Sequence, residues 1–467
     1  MQALDLLGHK SYIVGGAVRD QLLGKKPKDI DIVTFALPKQ VEKMAQDNHW
    51  GTKAVGRRFG IVIVTINKES FEVATTRREW HGNDAHRPEG VAFCNSIEED
   101  LSRRDFTINA MAIDINDNLI DPFGGQQDLK NKVIRTVGNP KERFNEDTLR
   151  MFRAGRLASQ LGFDIDDEIK EATSQVSLRN LSVESVRDEL EKTLISDYPE
   201  KGLSYFMETG LLEKNCISRK DKKEHSVSIL PELKHLNGLE QNPRYHRYDV
   251  WGHTLEVVKN SPPMLSIRWA ALFHDVGKGL PEIRCINNKN EVSDPGHEKK
   301  STEIARNALS RLKVCSNIKK KAVWLVNNHM KVPFPDNTPK WLKKQSVVFK
   351  NKQQLAEGTN QLIELHKADI LAGKTNSSLE DLHETLRSLN KSLQMPYYRN
   401  ELNISGKDVA PVLGEGPQVG RFLSNLLERI QSGQLKNTKE ELSSALNKKA
   451  LRQKREQISA SLTSNIL

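Results

Sequence analysis

Cysteine, aromatic residues and long apolar runs are all scarce in this chain of 467 residues. Its four cysteines are far apart and form no CxxC pair, so neither a disulfide framework nor a zinc site built on thiolates is expected. The longest apolar runs, such as residues 12–18 and 60–66, fall far short of the ~20 residues that a membrane-spanning helix needs. The first residues lack the basic and long apolar segments of a secretion signal. We therefore expect a cytoplasmic protein without a membrane partner.

The chain does have length and a surplus of basic residues. At ~150 residues per domain it has room for about three domains, and its content of 37% hydrophobic and 28% charged residues is typical of folded globular proteins. Lys and Arg number 71 against 61 Asp and Glu, which gives a formal net charge of +10. A basic surface attracts phosphate backbones. The composition therefore favours a polyanionic partner such as a nucleic acid.

Short β-branched runs alternate with turns and short helical stretches from residue 1 to about 137. This pattern predicts a mixed sheet with helices, which is an α+β domain. The predicted strands are residues 11–14, 30–34, 61–66, 71–75 and 108–114.

Three regions of helical character follow. The apolar residues of 138–225 repeat with a helical period, whereas 226–375 is helical and punctuated by histidines and acids. The last region, 376–467, is helical and ends in lysines and arginines. We therefore predict a head of mixed sheet and helices followed by three all-α regions.

A glycine pair followed by two spaced aspartates is the first motif with chemical content. The sequence predicts a strand, then a corner at Gly15 and Gly16, then a helix that carries Arg19. Glycines let backbone N–H groups approach a phosphate, and the helix N-terminus and Arg19 add positive potential. Asp29 and Asp31 follow on a predicted strand, whose alternation places both carboxylates on one face. Such a pair suits Mg²⁺ that also bridges nucleotide phosphates.

Two later segments fit the same site. Glu72 lies on a predicted strand and could bring a third carboxylate to the metal ions. Arg103 and Arg104 offer guanidinium forks for phosphates, while Asp105 and Asn109 carry a carboxylate and an amide able to read ribose hydroxyls. Each of these groups alone would be read as a solvated surface residue. Together they predict a nucleotide-binding site.

The order of these motifs resembles that of the class II tRNA nucleotidyltransferases, the CCA-adding enzymes. The resemblance covers essentially the whole chain and implies a head with the DNA polymerase beta-like nucleotidyltransferase fold, then a helical neck, body and tail. The matching segments are Gly15-Gly16-x-Val18-Arg19-Asp20, Asp29-x-Asp31, Arg103-Arg104-Asp105-x-x-x-Asn109, Glu146-Asp147-x-x-Arg150 and, near the C-terminus, residues 403–409 and 416–420.

The resemblance also implies the reaction and the roles of the regions. The 3'-hydroxyl of tRNA attacks the α-phosphate of CTP or ATP and pyrophosphate leaves, with Mg²⁺ held by Asp29 and Asp31 and a supporting acid at Glu72. The head would be residues 1–137, the nucleobase-binding neck 138–225, the HD body 226–375 and the tRNA-binding tail 376–467. No protein partner is implied, and the sequence does not decide the oligomeric state.

Base selection is expected from Asp147 and Arg150, which are three residues apart and are predicted to share a helix face. Cytosine and adenine present an amino donor beside a ring-nitrogen acceptor, whereas uracil and guanine present a carbonyl beside an N–H. A carboxylate and a guanidinium therefore select C and A, and the resemblance implies that this pair acts as a template made of protein. Arg153 and Arg156, one and two turns further on, reach either phosphate or solvent.

Histidines and acids in the third region occur in the order typical of an HD phosphohydrolase domain, which this region resembles. Imidazole and carboxylate ligands suit Mn²⁺, Ni²⁺, Fe or Mg²⁺, and six of them could hold one or two ions. The resemblance implies phosphatase or 2',3'-cyclic phosphodiesterase activity where the set is intact, while other members keep the domain as a scaffold. Lys278 could contact a substrate phosphate or be solvated. The predicted ligands are His253, His274, Asp275, His297, His329 and Asp369.

Several alternatives to full CCA addition can be weighed on the sequence. An enzyme that adds only CC is disfavoured, because the segment from Thr76 to Pro88 has the full length of the loop that such members shorten. An enzyme that adds only the terminal A stays open. An HD phosphohydrolase with a vestigial head, or a non-catalytic RNA-binding protein, would not need the unbroken set of head motifs. Bacterial poly(A) polymerases share the head but lack the histidine-rich region.

Overall fold

A computed structural model describes residues 1–54, 59–80, 90–178, 180–220, 223–374 and 378–464. These residues fall into two units, 1–326 and 327–467. Among the helices in these ranges, none combines the length and the apolar content that crossing a membrane would require. The predicted segment from Thr76 to Pro88 is described only in part, because residues 81–88 lie outside these ranges.

A seven-stranded mixed sheet opens the first unit, in the order β3-β4-β5-β2-β1-β8-β9, while β6 and β7 form a separate hairpin. The strands are β1 (Ser11–Val14), β2 (Asp31–Thr34), β3 (Gly51–Ala54), β4 (Ile61–Ile66), β5 (Glu69–Thr75), β6 (Arg77–Trp80), β7 (Gly90–Phe93), β8 (Ala112–Ile113) and β9 (Leu119–Ile120). The helices among them are α1 (Gln2–Asp5), α2 (Gly16–Leu22), α3 (Pro38–Asp47), α4 (Ile97–Ser102) and α5 (Gly125–Asn131).

The strands form where β-branched residues alternate between a buried and a less buried face. In β4, Val62 and Val64 are buried and pack with Val73 of β5 and with Val41 and Met44 of α3. The predicted strands at 11–14 and 61–66 are confirmed to the residue, and those at 30–34 and 71–75 to within two residues. An α+β head is therefore what these local patterns specify.

The strand predicted at 108–114 is wrong in its first half. Residues 107–109 form a 3-10 turn instead, and only Ala112–Ile113 is extended, as β8. The amides of Asn109 and Ala110 donate to the carbonyls of Phe106 and Thr107, which is the bonding pattern of a 3-10 turn. The Thr107 hydroxyl donates to Asp128 over 2.6 Å and holds this turn in place.

The register of the sheet places two acids side by side. Strand β2 runs antiparallel to β1, with Asp31 opposite Val14. It runs parallel to β5, with Asp31 opposite Glu72. Since directly opposed residues on neighbouring strands have adjacent side chains, the fold itself pairs these two carboxylates.

Helices make up most of the rest of the first unit. Helices α7 and α10 approach through glycines: a Cβ at Gly155 would lie 2.3 Å from the Phe206 ring, and one at Gly202 would lie 2.5 Å from the Gly155 carbonyl oxygen. The helices are α6 (Pro140–Glu146), α7 (Leu149–Leu161), α8 (Asp167–Gln175), α9 (Val183–Leu194), α10 (Pro199–Glu208), α11 (Val250–Asn260), α12 (Leu265–Phe273), α13 (His297–Arg311) and α14 (Ser316–Asn328), which ends just inside the second unit. Short strands pair as β10 (Val133–Ile134) with β11 (Asp164–Ile165), β12 (Asn215–Lys220) with β13 (Lys223–Ser228), and β14 (Cys285–Ile286) with β15 (Val292–Ser293).

The second unit is helical and holds two apolar clusters. One contains Leu342, Leu355 and Leu382, and the other contains Leu426 and Leu442. Its helices are α15 (Thr338–Ser346), α16 (Lys352–Ala372), α17 (Ser378–Ser392), α18 (Gly406–Leu413), α19 (Pro417–Gln431) and α20 (Lys439–Ser464). Between residues 439 and 459 of α20, only the first two turns contribute buried residues, after which Lys448, Lys449, Arg452, Lys454 and Arg455 are all exposed.

Candidate functional site

A polar cleft in the first unit brings together most of the residues predicted for the head site. Its volume is about 1070 Å³, open solvent included, and it lies beside β2 and β5. A cleft lined by so many charged groups suits a charged ligand. The charged residues that line it are Asp31, Glu72, Arg77, Glu79, Arg103, Arg104, Asp105, Asp147, Arg150 and Arg153.

The acids of the cleft fit a divalent cation. Reduced hydration raises the pKa of Asp31, an effect that Arg104 opposes and Asp29 reinforces. Reduced hydration and the neighbouring Asp31 likewise raise the pKa of Glu72. Carboxylates crowded in this way favour either a proton or a hard cation. Asp29 lies at an exposed bend before β2 rather than on that strand as predicted, because the ladder with β1 begins at Asp31.

The glycine corner lies directly against the acids and Arg104. Gly15 has a φ of +73°, and a Cβ there would lie 3.1 Å from Nη1 of Arg104 and 3.8 Å from Oδ2 of Asp31. Only glycine combines this backbone conformation with so close an approach. Arg19, in the first turns of α2, donates from Nη1 to the Asn109 side-chain oxygen over 2.8 Å and also pairs with Asp20.

Asp105 is a buried anchor between two arginines. Burial raises its pKa, but Arg153 and Arg150 outweigh this effect and leave the pKa lowered. Nη2 of Arg153 lies 2.8 Å from Oδ2 of Asp105, so Arg153 faces the cleft. Arg156 instead pairs with Glu189 and donates to Gln160, which places it in a contact among helices and not among the residues that line the cleft.

The predicted helix face that joins Asp147 and Arg150 is wrong, although both residues do line the cleft. Asp147 has extended backbone between α6 and α7, with φ −146° and ψ 103°. The reason is that its side chain accepts a hydrogen bond from the amide of Leu149 over 3.0 Å, as a residue that caps a helix start does. The two side chains therefore belong to a helix break and to the first turn of α7.

Arg150 is held rigidly by three acceptors. Its Nη1 donates to Oε2 of Glu146 over 2.7 Å and to the Arg143 carbonyl over 3.1 Å. Its Nη2 donates to the Arg103 carbonyl over 2.9 Å. The side chain is nearly buried, with an exposed fraction of 7%. A guanidinium fixed in this way presents its remaining N–H groups in one orientation.

Two acids that support the arginines were not predicted from the sequence. Asp100 pairs with Arg103 over 2.7 Å and with Arg104 over 3.3 Å, and Glu79 pairs with Arg103 over 2.9 Å. Arg103 therefore binds protein carboxylates rather than offering a second free fork. The spacing of Asp100 three and four residues before the arginines is the signal that could have revealed it.

A second cluster of the first unit brings together three histidines and an aspartate. His297 Nε2 lies 3.1 Å from Oδ1 of Asp275, and His274 Nε2 lies 3.2 Å from its Oδ2. The Nε2 atoms of His274 and His253 are 3.4 Å apart. All four side chains are buried. His329 follows α14 and Asp369 lies on α16, both in the second unit.

The tautomers of these histidines fit a metal ion. His274 and His297 each place Nδ1 against a backbone carbonyl, Ala271 at 2.7 Å and Asp294 at 2.8 Å. Donation from Nδ1 leaves a lone pair on Nε2, which faces carboxylate oxygens or another imidazole. Only a cation or additional protons would make such a convergence of acceptors favourable. This arrangement is therefore suited to a divalent metal.

Lys278 is part of this second cluster. Its Nζ lies 2.7 Å from Oδ2 of Asp275, and the side chain is 12% exposed, so it is not simply solvated. Burial raises the pKa of Asp275, but the neighbouring His274 and Lys278 outweigh this effect and hold the pKa well below its usual range.

Three family models match the chain. Residues 11–135 match the family described as "Poly A polymerase head domain", and residues 246–371 match "HD domain". Residues 162–214 match "Probable RNA and SrmB- binding site of polymerase A". The first match covers the seven-stranded mixed sheet, and the second covers the segment that carries the histidines of the second cluster.

Comparison with individual proteins gives the same result over longer stretches. A CCA-adding enzyme of Geobacillus stearothermophilus is 31% identical over 95% of this chain and 94% of its own length. One of Bacillus pumilus is 44% identical over 54% of this chain, a match that spans 60% of that relative. The crystal structure of the Bacillus stearothermophilus CCA-adding enzyme in complex with CTP superposes with a TM-score of 0.66 at 27% identity, covering 98% of this chain and 97% of that one.

Proposed function

The chain belongs to the family of CCA-adding enzymes, and from this membership we propose that it adds the 3'-terminal CCA to tRNA from CTP and ATP, with release of pyrophosphate. The observation that carries the proposal is the cleft itself. One surface holds paired acids, a glycine corner, Arg104 and the Asp147/Arg150 pair. These are the groups that a nucleotidyl transfer with selection of C and A requires. The relatives matched over 94% of their own length do not favour the A-only or vestigial-head alternatives.

The acids would hold Mg²⁺. Asp31 and Glu72 lie side by side, and Asp29 precedes them on an exposed bend. A divalent ion bound there would lower the pKa of the attacking hydroxyl and neutralise charge on the phosphates. Arg104 lies against the glycine corner and presents positive charge to the phosphates. Gly15, Gly16, Arg19 and Asn109 would complete this side of the site.

Base selection would rest on Asp147 and Arg150. The carboxylate accepts from the exocyclic amino group, and the guanidinium donates to the ring nitrogen. Glu146 and the carbonyls of Arg103 and Arg143 fix the guanidinium, so it cannot turn away to accommodate a base with an N–H at that position. UTP and GTP are rejected because they would leave buried donors and acceptors unpaired.

The exposed basic part of α20 would bind tRNA outside its 3' end. Five lysines and arginines lie there without a buried role, at positions 448, 449, 452, 454 and 455. Lysine and arginine contacts to phosphate release counterions and add affinity without sequence preference. The cytoplasmic location stays a prediction from the sequence.

The convergence of acceptors in the second cluster favours a second activity. We propose that His253, His274, Asp275 and His297 of the first unit hold an ion such as Mn²⁺, Ni²⁺, Fe or Mg²⁺ and support hydrolysis of phosphate esters. His329 and Asp369 stay ligands predicted from the sequence. A bound ion would supply an activated water. Lys278, held by Asp275, would attract the phosphate.

The decisive experiment incubates the protein with tRNA lacking CCA and each labelled nucleotide in turn. We expect incorporation of C and then A, and no incorporation of U or G. Asp29→Ala and Asp31→Ala should abolish incorporation while circular dichroism and melting temperature stay close to those of the parent. Incorporation of A alone on tRNA lacking CCA, or transfer by both variants within about tenfold of the parent, would contradict the proposal.

A further inference from the structure

A loop of aromatic and basic residues borders the second cluster. It runs from Gln241 to Tyr248, just before α11. Tyr245 and Tyr248 are 55% and 47% exposed, and Arg244 and Arg247 are exposed beside them. An exposed aromatic ring beside a cluster suited to phosphate chemistry is available to stack on a base. The function proposed above does not use this loop.

Two contacts fix the loop to the cluster. Lys278 Nζ donates to Oε1 of Gln241 over 2.8 Å and pairs with Asp275 over 2.7 Å. The His246 ring meets the His253 ring edge to face, with 5.2 Å between centroids. Since Asp275 and His253 are candidate metal ligands, the loop is positioned directly by the residues that would carry out the chemistry.

The loop has an internal turn that presents its side chains together. The Asn242 side chain accepts from the Arg244 amide over 3.0 Å, and the Asn242 carbonyl accepts from the amides of Tyr245 and His246. The guanidinium of Arg244 lies 5.5 Å from the centre of the Tyr245 ring. The cation therefore covers one face of an exposed aromatic ring, and the two groups together match the phosphate and the base of a nucleotide.

We propose that this loop is the substrate-recognition element of the second cluster and that it selects nucleoside phosphates, either free or as the 3'-terminal residue of an RNA. The base stacks on the face of Tyr245 opposite Arg244, while Arg244 and Arg247 attract the phosphate toward the cluster. A phosphate ester without a base meets the same cations but gains nothing from the ring. This selectivity rests on the hydrolase activity proposed above.

The test compares two phosphomonoesters that differ in the presence of a base. Release of inorganic phosphate from adenosine 3'-monophosphate and from glycerol 2-phosphate is measured with the full-length protein in Mn²⁺ or Ni²⁺. Tyr245→Ala should lower kcat/KM for the nucleotide about tenfold, which is the loss of one stacking contact, and leave glycerol 2-phosphate unchanged. Tyr245→Phe keeps the ring and should retain the parental ratio. Arg244→Gln should lower kcat/KM for both substrates.

A binding measurement without metal tests recognition by the loop even if the protein hydrolyses no phosphate ester. In EDTA, fluorescence anisotropy follows a 3'-phosphorylated trinucleotide in the Arg150→Ala background, where the base-selecting pair of the head is broken. Tyr245→Ala should weaken binding about tenfold. Arg219→Ala removes an arginine that is 65% exposed in the β12–β13 hairpin and serves as the matched control with unchanged binding. Competition by adenosine 3'-monophosphate against the trinucleotide shows whether a free nucleotide or an RNA end is preferred.

The outcomes separate this inference from the proposed hydrolase activity. If no phosphate is released with any divalent metal but Tyr245→Ala still weakens binding, the hydrolase activity fails and recognition by the loop stands. If phosphate is released and Tyr245→Ala affects both substrates equally, or affects neither, the recognition role is overturned. Equal binding by the parent and Tyr245→Ala overturns it as well.

Discussion

Replacing Arg150 by alanine tests the base-selection mechanism at its most constrained residue. The substitution removes the guanidinium that Glu146 and two backbone carbonyls hold in place. Glu146 keeps a partner, because Arg143 lies 2.8 Å from its other oxygen. The Arg143 carbonyl also keeps one donor, the amide of Asp147. Among the hydrogen-bond acceptors, only the Arg103 carbonyl loses its side-chain donor without replacement. The buried Asp105 loses the nearby charge of Arg150 but keeps Arg153, at 2.8 Å.

These contacts set the size of both expected effects. One carbonyl left without its donor costs on the order of 1–2 kcal/mol in the free energy of unfolding, so the variant should stay folded. A hydrogen bond from a charged donor to the base contributes about 1.5–3 kcal/mol. Its loss should therefore reduce the preference for CTP over UTP, and for ATP over GTP, by about 10- to 150-fold.

The assay measures kcat/KM for the four nucleotides on tRNA substrates ending just before C or just before A. Arg143→Ala is the matched control, because it removes the other guanidinium bound to Glu146 but is not among the residues that line the cleft. We expect the control to keep the parental preference. A folded Arg150→Ala protein that still rejects UTP and GTP as the parent does would refute the reasoning and show that selection lies elsewhere.

Three further predictions follow from the other parts of the molecule. Exchanging Lys448, Lys449, Arg452, Lys454 and Arg455 for glutamine should weaken tRNA binding and flatten its salt dependence, as filter binding at several salt concentrations will show; an unchanged slope would exclude this helix from the interface. Neutralisation is preferable to deletion from Lys436, which would remove the buried Leu442 and disrupt its cluster. Alanine at both His274 and Asp275 should abolish phosphate-ester hydrolysis while CCA addition survives. The melting temperature must be measured beside both activities, because Lys278 loses its carboxylate partner in this variant. Loss of CCA addition in a well-folded protein would contradict two separate sites. Burial raises the pKa of Asp100, but Arg103 and Arg104 outweigh it and leave that pKa lowered, so Asp100→Asn should lower the unfolding free energy at pH 7. That deficit should shrink as the pH falls below the ordinary carboxyl pKa of ~3.9, and a deficit independent of pH would show that charge pairing is not its cause.

Local sequence patterns predicted much of the head because its strands are short and their alternation is clear. The strands at 11–14 and 61–66 were predicted exactly, and the acids of β2 and β5 were placed at one site. Prediction failed where a side chain overrides the local pattern. Thr107 lies in a 3-10 turn that its bond to Asp128 holds in place, and Asp147 ends one helix and caps the next.

Contacts between residues that are far apart in the sequence were the second feature that could not be predicted. Glu79 and Arg103 are 24 residues apart in the sequence. Arg150, which donates to the Arg103 carbonyl, is 47 residues from Arg103. No periodicity encodes such contacts, because they depend on how the hairpin, α4 and α7 pack together. The residue types of the second cluster could be predicted from the sequence. The hydrogen bonds that orient His274 and His297 could not, because they go to backbone carbonyls whose positions depend on the folded chain.

The close approach of α7 and α10 has a consequence for engineering this protein. Gly155 lies five residues after Arg150 on the same helix, and even one methyl group there would meet the Phe206 ring at 2.3 Å. An alanine at Gly155 would therefore push the helix outward and carry the guanidinium with it, although residue 155 is not among those that line the cleft. We therefore expect nucleotide preference to respond to a substitution at a helix position outside the cleft. Searches for variants with new base preferences should include Gly155, Gly202 and Phe206 as well as the residues that face the base.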